Sequence, residues 1–376
     1  MDKHLHIICL EVPYPPDFGG MYDLFYKLPA LQKQGVNIHL HCFQKDRGKQ
    51  TELTKYCEEV FYYKRNTGHK GVDAKLPYIV ASRNSEELLN KLLQNDYPIF
   101  MEGVHCTFLT TDIRFEHRKK FVRLHNVEQH YYKHLFNTSS GILNKIYYYR
   151  EAALLKNYEK ELIHKANAFW PVTVADTEFY RNNLNGRNID YLSLFLPDWK
   201  IDSQTGMGTF CLYHGNLGVD ENEFAATWLL KNVFDKLEIP FVIAGKNSSK
   251  KLERLANKKP HTCLVANPTE NQMQDMIAKA HLHILPSFSQ SGIKLKLLNA
   301  LYHGRHCVVN DDMLSGTNFH PLCHVANTAE SIAQMVSQLF NQPFTTDEIL
   351  LRSSILYNEF NNETNAKKMI TWIWGE

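Results

Sequence analysis

Two lysines stand where a helix is predicted to begin, in the segment "SQSGIKLKLLNALYHG". Lys294 and Lys296 fall in the first turn expected after Gly292, and leucines at helical spacing mark the buried face. The amino end of a helix carries partial positive charge, so extra cations are unfavourable there unless an anion lies opposite. The pattern favours a diphosphate bound by backbone amides near Gly292 and by at least one lysine. The alternative is that both side chains point into solvent, as lysines usually do.

Glycines follow several predicted strands, at positions where backbone amides could approach an anion closely. These positions are Gly19 and Gly20 after the first strand, and Gly215 and Gly245 in the second half of the chain, where Asn216 and Lys246 come next. A tight turn explains each of them individually, but together they favour a ligand-binding crevice. Their spacing differs from the GxGxxG pattern of dinucleotide sites, so an NAD-dependent enzyme is not supported.

Polar residues follow two strands of the first half. In "FMEGVHCTF", Glu102 and His105 come just past the carboxyl end of a strand, where they form either a functional pair or an ordinary loop. In "LHNVEQ", His125 and Glu128 could act as a base and the group that orients it. Alternatively, Asn126 is an N-cap and Glu128 interacts favourably with the helix dipole, which leaves His125 free to face a substrate.

The elements that position these residues alternate between strand and helix along the whole chain. Near-continuous apolar strands such as "HIICLEV", "KFVRLH" and "PFVIAG" are joined by helical stretches, which predicts parallel sheets covered on both faces. Thr269 and Gln272 have the spacing of a capping box. The polar stretch "PDWKIDSQTGMG" separates two α/β, doubly wound domains. We expect domains at residues 1–190 and 205–342, with helices over 343–376, and ligands between the domains at the carboxyl ends of strands.

Composition limits the class of protein. With 376 residues the chain is long enough for two domains, and 42 basic against 40 acidic residues leave a net charge of +2, which argues against a nucleic-acid partner. Eight cysteines without a CxxC pair indicate free thiols in a reducing compartment. Since no run of eighteen apolar residues occurs, we expect a soluble, cytoplasmic protein.

The lysine segment resembles the donor site of the sugar-nucleotide-dependent glycosyltransferases with the GT-B fold. The likeness is to the group 1, mostly retaining transferases of bacterial surface polysaccharide assembly. In these proteins a strand ending in Pro-Ser precedes a helix of the form G-x-K-x-K, and the matching residues here are Pro286, Ser287, Gly292, Lys294, Lys296, Leu297, Leu298, Asn299, Ala300 and Gly304. "PYPPDFGG", "VRLHNVEQHYY" and "YHGNLGVDEN" resemble further elements of the family, so the resemblance covers nearly the full chain.

The resemblance implies two Rossmann-like domains facing a central cleft, with the helices of 343–376 crossing back to the first domain. It places a UDP- or GDP-linked sugar against Gly19, Gly20, Gly215, Asn216, Gly245, Lys246, Ser291, Gly292, Ile293, Lys294, Lys296 and Asn299. A glycan or lipid-linked acceptor would contact His125, Asn126 and Glu128, and the catalytic candidates are Lys296, Glu102 and His105. The diphosphate leaves while lysines and amides stabilise its charge, so no metal or other cofactor is expected. The sequence lacks DxD and HExxH motifs.

Two departures from the family pattern concern the donor site. Relatives usually carry two glutamates where this chain has Ser291 and Asn299, and many carry an arginine where it has Asn216. Asparagine can still bond a ribose hydroxyl, but without the charge-assisted strength of a carboxylate. Weaker or altered donor binding, or loss of activity, follows. A catalytically degenerate scaffold or binding subunit, or a sugar-nucleotide epimerase, are therefore the alternative functions.

The stretch "HLFNTSSGILNKIYYYREAALLK" combines apolar and aromatic residues with Lys145 and Arg150. Such a surface would suit the headgroup region of a membrane, where lipid-linked acceptors are found. The simpler interpretation, a helix that packs its tyrosines against the first domain, is favoured. Peripheral contact with the inner face of the membrane remains the alternative.

Overall fold

The structure is a computed structural model that describes residues 2–16, 19–139, 141–289 and 294–375. The chain divides into two compact units: the first is Met1–Pro197 with Phe360–Glu376, and the second is Asp198–Glu359. The division therefore falls at the start of the polar stretch "PDWKIDSQTGMG". The segment 343–376, which the sequence analysis grouped together, is shared between the two units.

The first unit is built on one parallel sheet of order β3-β2-β1-β4-β5-β6. Its strands are β1 Lys3–Cys9, β2 Val36–Gln44, β3 Glu59–Lys64, β4 Ile99–Glu102, β5 Lys120–Leu124 and β6 Ala168–Pro171. Its helices are α1 Gly19–Lys33, α2 Tyr78–Ala81, α3 Glu86–Leu92, α4 Glu128–Thr138, α5 Ile142–Leu162, α6 Val174–Asn182 and α14 Asn362–Trp374. The predicted strands of this half are confirmed.

Both faces of this sheet are buried, which explains why its strands lack a polar face. In β1, Ile7 belongs to the core on one side, and Ile8 belongs to the core on the other side. Neighbouring residues of a strand point to opposite faces, so each face of the sheet has its own core. Helix α14 packs against α1 and adds Met369 and Ile373 to the core that contains Ile7.

The second unit repeats the same topology, with the sheet order β12-β11-β10-β7-β8-β9. Its strands are β7 Cys211–Asn216, β8 Phe241–Lys246, β9 Thr262–Ala266, β10 Leu282–Ile284, β11 His306–Val309 and β12 His324–Val325. Its helices are α7 Asp220–Asn232, α8 Lys250–Ala256, α9 Glu270–Lys279, α10 Leu295–His303, α11 Asp311–Leu314, α12 Ala329–Leu339 and α13 Thr346–Glu359. The sequence analysis missed β12, and the capping box of Thr269 and Gln272 is confirmed.

Each sheet reverses its strand order once, next to β1 in the first unit and next to β7 in the second. In open parallel sheets, ligands bind outside the carboxyl ends of the strands at such a reversal. The residues that follow β4, β5, β7 and β8 are therefore placed at the ligand-binding edge of their own unit. Within the described part of the chain, no helix is both long and apolar enough to cross a bilayer.

Candidate active site

The ends of β7 and β8 form the base of the candidate site in the second unit. Gly215 pairs with Gly245, and Asn216 pairs with Lys246. A Cβ atom at Gly245 would overlap the carbonyl oxygen of Gly215, so this position requires glycine for close packing of the two strands. Lys246 is exposed at the end of β8.

Asn222, in the first turn of α7, links the end of β7 to a lysine of α10. Its Nδ2 donates to the carbonyl oxygen of Asn216 at 2.9 Å, and its Oδ1 accepts a hydrogen bond of 2.6 Å from Lys296 Nζ. The Tyr213 hydroxyl donates to the carbonyl oxygen of Asn222 at 3.0 Å. The sequence analysis selected neither Asn222 nor Tyr213, although "YHGNLGVDEN" contains both ends of this link.

Lys296 is a partly buried cation whose hydrogen bonds go to neutral groups. Besides Asn222, Nζ lies 3.3 Å from the Tyr213 hydroxyl and 5.1 Å from the centre of the tyrosine ring. Burial and the charge of Lys294 lower the pKa of Lys296 to about 8, although Glu221 acts in the opposite direction. Burial also lowers the pKa of Lys294, against the effect of Glu221 and Asp312. Two cations whose charged form is disfavoured thus lie at the start of one helix, where an opposite charge would stabilise them.

The position of the helix start differs from the prediction. Helix α10 begins at Leu295, so Lys294 is its N-cap residue, with an extended backbone, and Lys296 falls in the first turn. Ser291, Gly292 and Ile293 lie outside the described residues. The contact between an anion and the backbone amides near Gly292 therefore stays a prediction.

Asn299 of α10 has a buried polar atom without a hydrogen-bond partner in the described part of the chain. Its Oδ1 is buried and has no hydrogen-bond partner among the described residues. An unsatisfied buried acceptor costs about 1–3 kcal/mol, so it is a position where a ligand hydroxyl would be stabilising. This fits the ribose-binding role that the resemblance implies for Asn299.

The ligand-binding edge of the first unit contains a buried network of charged side chains. Asp23 of α1 accepts two hydrogen bonds from the Arg123 guanidinium, at 2.9 and 3.0 Å, and forms an ion pair of 3.1 Å with Lys27. Lys27 also contacts Glu102, whose other oxygen lies 3.0 Å from His125 Nε2. All of these side chains except His125 are completely buried.

The network determines what Glu102 and His125 can do. Burial would raise the pKa of Glu102, but Lys27 and His125 outweigh it and the pKa is lowered. The pKa of Asp23 is likewise lowered, because Arg123 and Lys27 outweigh burial. An ionised Glu102 orients the His125 ring, so the hypothesis that Glu128 orients His125 is wrong.

His105 occupies a turn directly after β4. Gly103 adopts φ +78°, and the turn that follows places His105 Nδ1 in a buried position without a partner among the described residues. Burial, together with the charges of Arg83 and His125, lowers the pKa of His105 well below its usual value. A neutral imidazole at this edge is suited to hydrogen bonding with a hydroxyl group.

The start of α4 is capped from another helix. The N-cap residue is Val127 and not Asn126, and the carboxylate of Glu159 in α5 accepts from the backbone N–H groups of Glu128 and Gln129, each at 3.0 Å. Burial and the neighbouring Glu159 raise the pKa of Glu128 to about 8. Glu128 is therefore buried behind the edge, whereas His125 and Asn126 are partly exposed.

Gly19 and Gly20 form the first turn of α1, at the same edge of the first unit. That turn contains no acidic residue, as at the start of α10. Asp17 and Phe18, which complete the predicted glycine loop, lie outside the described residues. The two glycines thus remain candidates for contact with an anion.

Comparison with known proteins identifies the architecture. Residues 208–342 match the family model of the group 1 glycosyl transferases. The sucrose-phosphate synthase of Thermosynechococcus elongatus superposes with a TM-score of 0.69 at 12% identity, covering 98% of this chain and 97% of that one. Anabaena HepE, solved in complex with UDP and glucose, superposes with a TM-score of 0.63 at 11% identity, covering 100% of both chains. The fold is GT-B, and within the second unit residues 208–342 are similar to the group 1 glycosyl transferases.

A curated sequence relative extends the match beyond residues 208–342. It is an uncharacterized 44.6 kDa protein in the cps region of Klebsiella pneumoniae, 24% identical over 373 residues, with 89% of this chain and 93% of that protein covered. The matched residues 208–342 contain Lys294, Lys296, Asn222 and Asn299. The likeness at the level of fold agrees with the expectation of a GT-B protein with two Rossmann-like domains.

Proposed function

We propose that this protein is a hexosyltransferase that moves a sugar from a UDP- or GDP-linked donor to a glycan or lipid-linked acceptor in cell-surface polysaccharide biosynthesis. The observation that carries the proposal is Lys296, which lies in the first turn of α10, is partly buried and donates hydrogen bonds to neutral groups. A diphosphate would place negative charge beside this cation and beside Lys294. Charge-assisted hydrogen bonds of this kind are roughly twice as strong as neutral ones.

The rest of the second-unit site fits a nucleotide sugar. The unsatisfied Oδ1 of Asn299 would accept from a ribose hydroxyl, as the family resemblance implies. The Anabaena structure contains UDP and glucose, and the Klebsiella relative is encoded in a cps region. These two comparisons support the donor class and the polysaccharide context of the proposal.

The chemistry follows from the charges at the start of α10. As the bond between the sugar and the diphosphate breaks, negative charge grows on the leaving phosphate, and Lys296 and Lys294 stabilise it. Since the lysines supply this positive charge, the proposal does not invoke a divalent cation in the transfer step. In the first unit, His125, oriented by Glu102, and His105 are the proposed contacts for the reacting sugars.

A second candidate function is a degenerate transferase that binds without catalysis, because Ser291 and Asn299 replace the usual glutamates. Calorimetric titration with UDP and GDP, followed by mass spectrometry of reactions with their sugar derivatives, separates the two. Binding of one nucleotide and transfer of its sugar to a polysaccharide acceptor supports the enzyme. Absence of binding at millimolar nucleotide supports the scaffold, and epimerised free donor without acceptor supports an epimerase.

Contact with a membrane surface is part of the proposal for lipid-linked acceptors. The first turns of α5 expose Ile142 by 77%, Leu143 by 82% and Ile146 by 61%, whereas Tyr147 and Tyr148 pack against neighbouring rings. Lys145 lies among the exposed side chains. Flotation with anionic vesicles, with Leu143→Ser as the variant, should show binding that the substitution weakens; equal recovery of both proteins in the vesicle fraction would contradict the contact.

A further inference from the structure

The second unit has a cluster of metal-ligating side chains at the sheet edge opposite the candidate donor site. His306 is the first residue of β11, His324 is the first residue of β12, and Glu348 lies in the first turn of α13. Because the strands are parallel, their amino ends lie at the edge away from Gly215 and Gly245. The proposed glycosyl transfer does not use any of these residues.

The three side chains bring one ligand atom each close together. His306 Nδ1 lies 3.1 Å from Glu348 Oε1 and 3.3 Å from His324 Nε2, and all three atoms lie within 4.8 Å of one another. In a tetrahedral zinc site with bonds of about 2.1 Å, two ligand atoms lie about 3.4 Å apart. Two of the three distances between ligand atoms, 3.1 and 3.3 Å, are therefore close to those of a tetrahedral zinc site.

The proton positions leave two lone pairs facing each other. His306 Nε2 lies 3.2 Å from the carbonyl oxygen of Gln342, and since a carbonyl only accepts, Nε2 carries the ring proton. In the neutral imidazole Nδ1 is then unprotonated, so Nδ1 and the Glu348 carboxylate are two acceptors 3.1 Å apart. A cation between them would remove this repulsion.

We propose that His306 Nδ1, His324 Nε2 and Glu348 Oε1 bind one divalent transition-metal ion, with zinc as the best fit to the ligand set. Two imidazoles and one carboxylate are a known zinc combination, and a water molecule would complete the tetrahedron. Glu348 is about one-third exposed, so the ion has a path from solvent. The site ties β11 and β12 to the start of α13.

The ligands are held in place by other contacts. The Gln342 carbonyl fixes the orientation of His306, which is the kind of outer contact that metal-binding histidines usually have. Thr345 N and Oγ1 each donate to Glu348 Oε2 at 2.8 Å, so one carboxylate oxygen caps α13 while the other faces the imidazoles. Little reorganisation is needed when an ion binds.

Nearby groups do not compete for the same place. Arg352 of α13 donates guanidinium hydrogen bonds to the carbonyl oxygens of Leu301, Gly304 and Arg305. His281 uses both ring nitrogens, with the backbone N–H of Gly208 and the carbonyl oxygen of Leu339.

A second set of possible ligands lies in the first unit but is already neutralised. Asp23, Glu102 and His125 also bring ligand atoms together, but Lys27 and Arg123 bind their carboxylates. The internal cations take the place that a metal ion would occupy. The proposal is therefore confined to the cluster of the second unit.

The test is a competition titration of the full-length protein with Zn²⁺ against a chromophoric chelator, and a parallel titration with Co²⁺ followed by visible absorption. Wild type should bind one ion with d–d bands typical of tetrahedral Co²⁺. Glu348→Gln and His324→Gln should each weaken binding at least tenfold. Glutamine keeps the capping box of α13, so Glu348→Gln preserves the fold. His320→Gln, at an exposed histidine just before β12, is the matched control and should bind as wild type.

Two results would overturn the site. The first is equal Zn²⁺ affinity for wild type and for folded Glu348→Gln, with folding verified by circular dichroism. The second is a wild-type Co²⁺ spectrum without tetrahedral bands, which requires no variant. The metal site is not used in the proposed glycosyl transfer, so UDP binding should be unchanged by Zn²⁺. Failure of one proposal is therefore distinguishable from failure of the other.

Discussion

At the scale of single residues, the protonation of Lys296 is the property most closely tied to ligand binding. Its pKa of about 8 results from burial and from repulsion by Lys294, both of which disfavour the charged form. A bound diphosphate would favour that form. Binding of the ligand and protonation of the lysine are therefore linked.

The first prediction is a pH-dependent affinity for UDP. Below about pH 8 Lys296 is already protonated in the free protein, so binding takes up no proton there. Above that value the free lysine is largely neutral, so Lys296 must take up a proton when the diphosphate binds. Affinity for UDP therefore falls as pH rises. Calorimetry at pH 9 in buffers of different ionisation enthalpy should show proton uptake. In Lys296→Met the uptake should disappear, and unchanged uptake in that variant would refute the linkage.

The sequence predicted the lysines because their type and position conflict with the helix dipole. It did not predict Asn222 or Tyr213, because the contact with Lys296 joins positions 74 and 83 residues apart. It likewise paired His125 with the glutamate nearest in sequence, whereas folding brings Glu102, 23 residues away, to the imidazole. Local spacing indicates which groups are available but not which of them meet.

At the scale of elements, the start of α4 shows how a helix end is stabilised by its neighbour. Glu159 of α5 accepts the backbone hydrogen bonds that Asn126 was expected to accept, and the Tyr180 hydroxyl donates to the same carboxylate at 2.5 Å. Burial raises the pKa of Glu159 to about 7, and that of Glu128 beside it to about 8. Two buried carboxylates thus share one helix start.

The second prediction follows from the raised pKa of Glu128. In the unfolded chain this group ionises near 4.5, and in the folded chain near 8, so its contribution to stability is present at low pH and is lost as pH rises through about 8. Glu128→Gln has no carboxyl group to ionise at this position, so the variant does not lose this stability as pH rises. The variant should gain stability over wild type at pH 8, by on the order of 1 kcal/mol or more, with a smaller gain at pH 5.

Thermal unfolding at both pH values measures this difference. Glu178→Gln, an exposed glutamate of α6, is the matched control and should change the melting temperature little at either pH. The stability difference between Glu128→Gln and wild type should therefore be larger at pH 8 than at pH 5. A smaller difference at pH 8 would contradict the burial of an ionisable carboxyl group at this position.

The elements themselves were largely predictable, because each long strand is an apolar run between turn signals. The exception is β12, which has two half-buried residues, His324 and Val325, and therefore carries no apolar run. The omission matters because β12 supplies one ligand of the proposed metal site. Its other ligands, from β11 and α13, lie 18 and 24 residues away from His324 in the sequence, outside any short metal-binding motif.

At the scale of the whole molecule, the first unit is discontinuous. Its sheet is complete by β6, but one face is covered by α14, which the chain reaches only after the entire second unit. Met369, Ile370 and Ile373 of α14 are buried in that core. The alternation of strands and helices predicted two doubly wound units, but it did not predict how residues 343–376 are divided between them.

The third prediction concerns this return of the chain. Truncation after Glu359 removes α14 and exposes the core face of α1, with the loss of on the order of 5 kcal/mol from three large apolar side chains. In the truncated chain the first unit should already be unfolded near physiological temperature, so its unfolding transition should be absent. Residues 198–359 should still unfold cooperatively. Differential scanning calorimetry measures both transitions. A truncated protein with the melting profile of the full chain would show that α14 is dispensable.

The central claim is that a diphosphate binds beside Lys296. The most direct test measures how Lys296→Ala changes the affinity for UDP and for uridine, and for GDP and for guanosine. Loss of a charge-assisted hydrogen bond, worth about 1.5–3 kcal/mol, predicts at least a tenfold lower affinity for the diphosphate that binds wild type. Affinity for its nucleoside should change less than twofold. Lys231→Ala, at an exposed lysine of α7, should leave both affinities unchanged. Equal losses for diphosphate and nucleoside in Lys296→Ala would contradict the account.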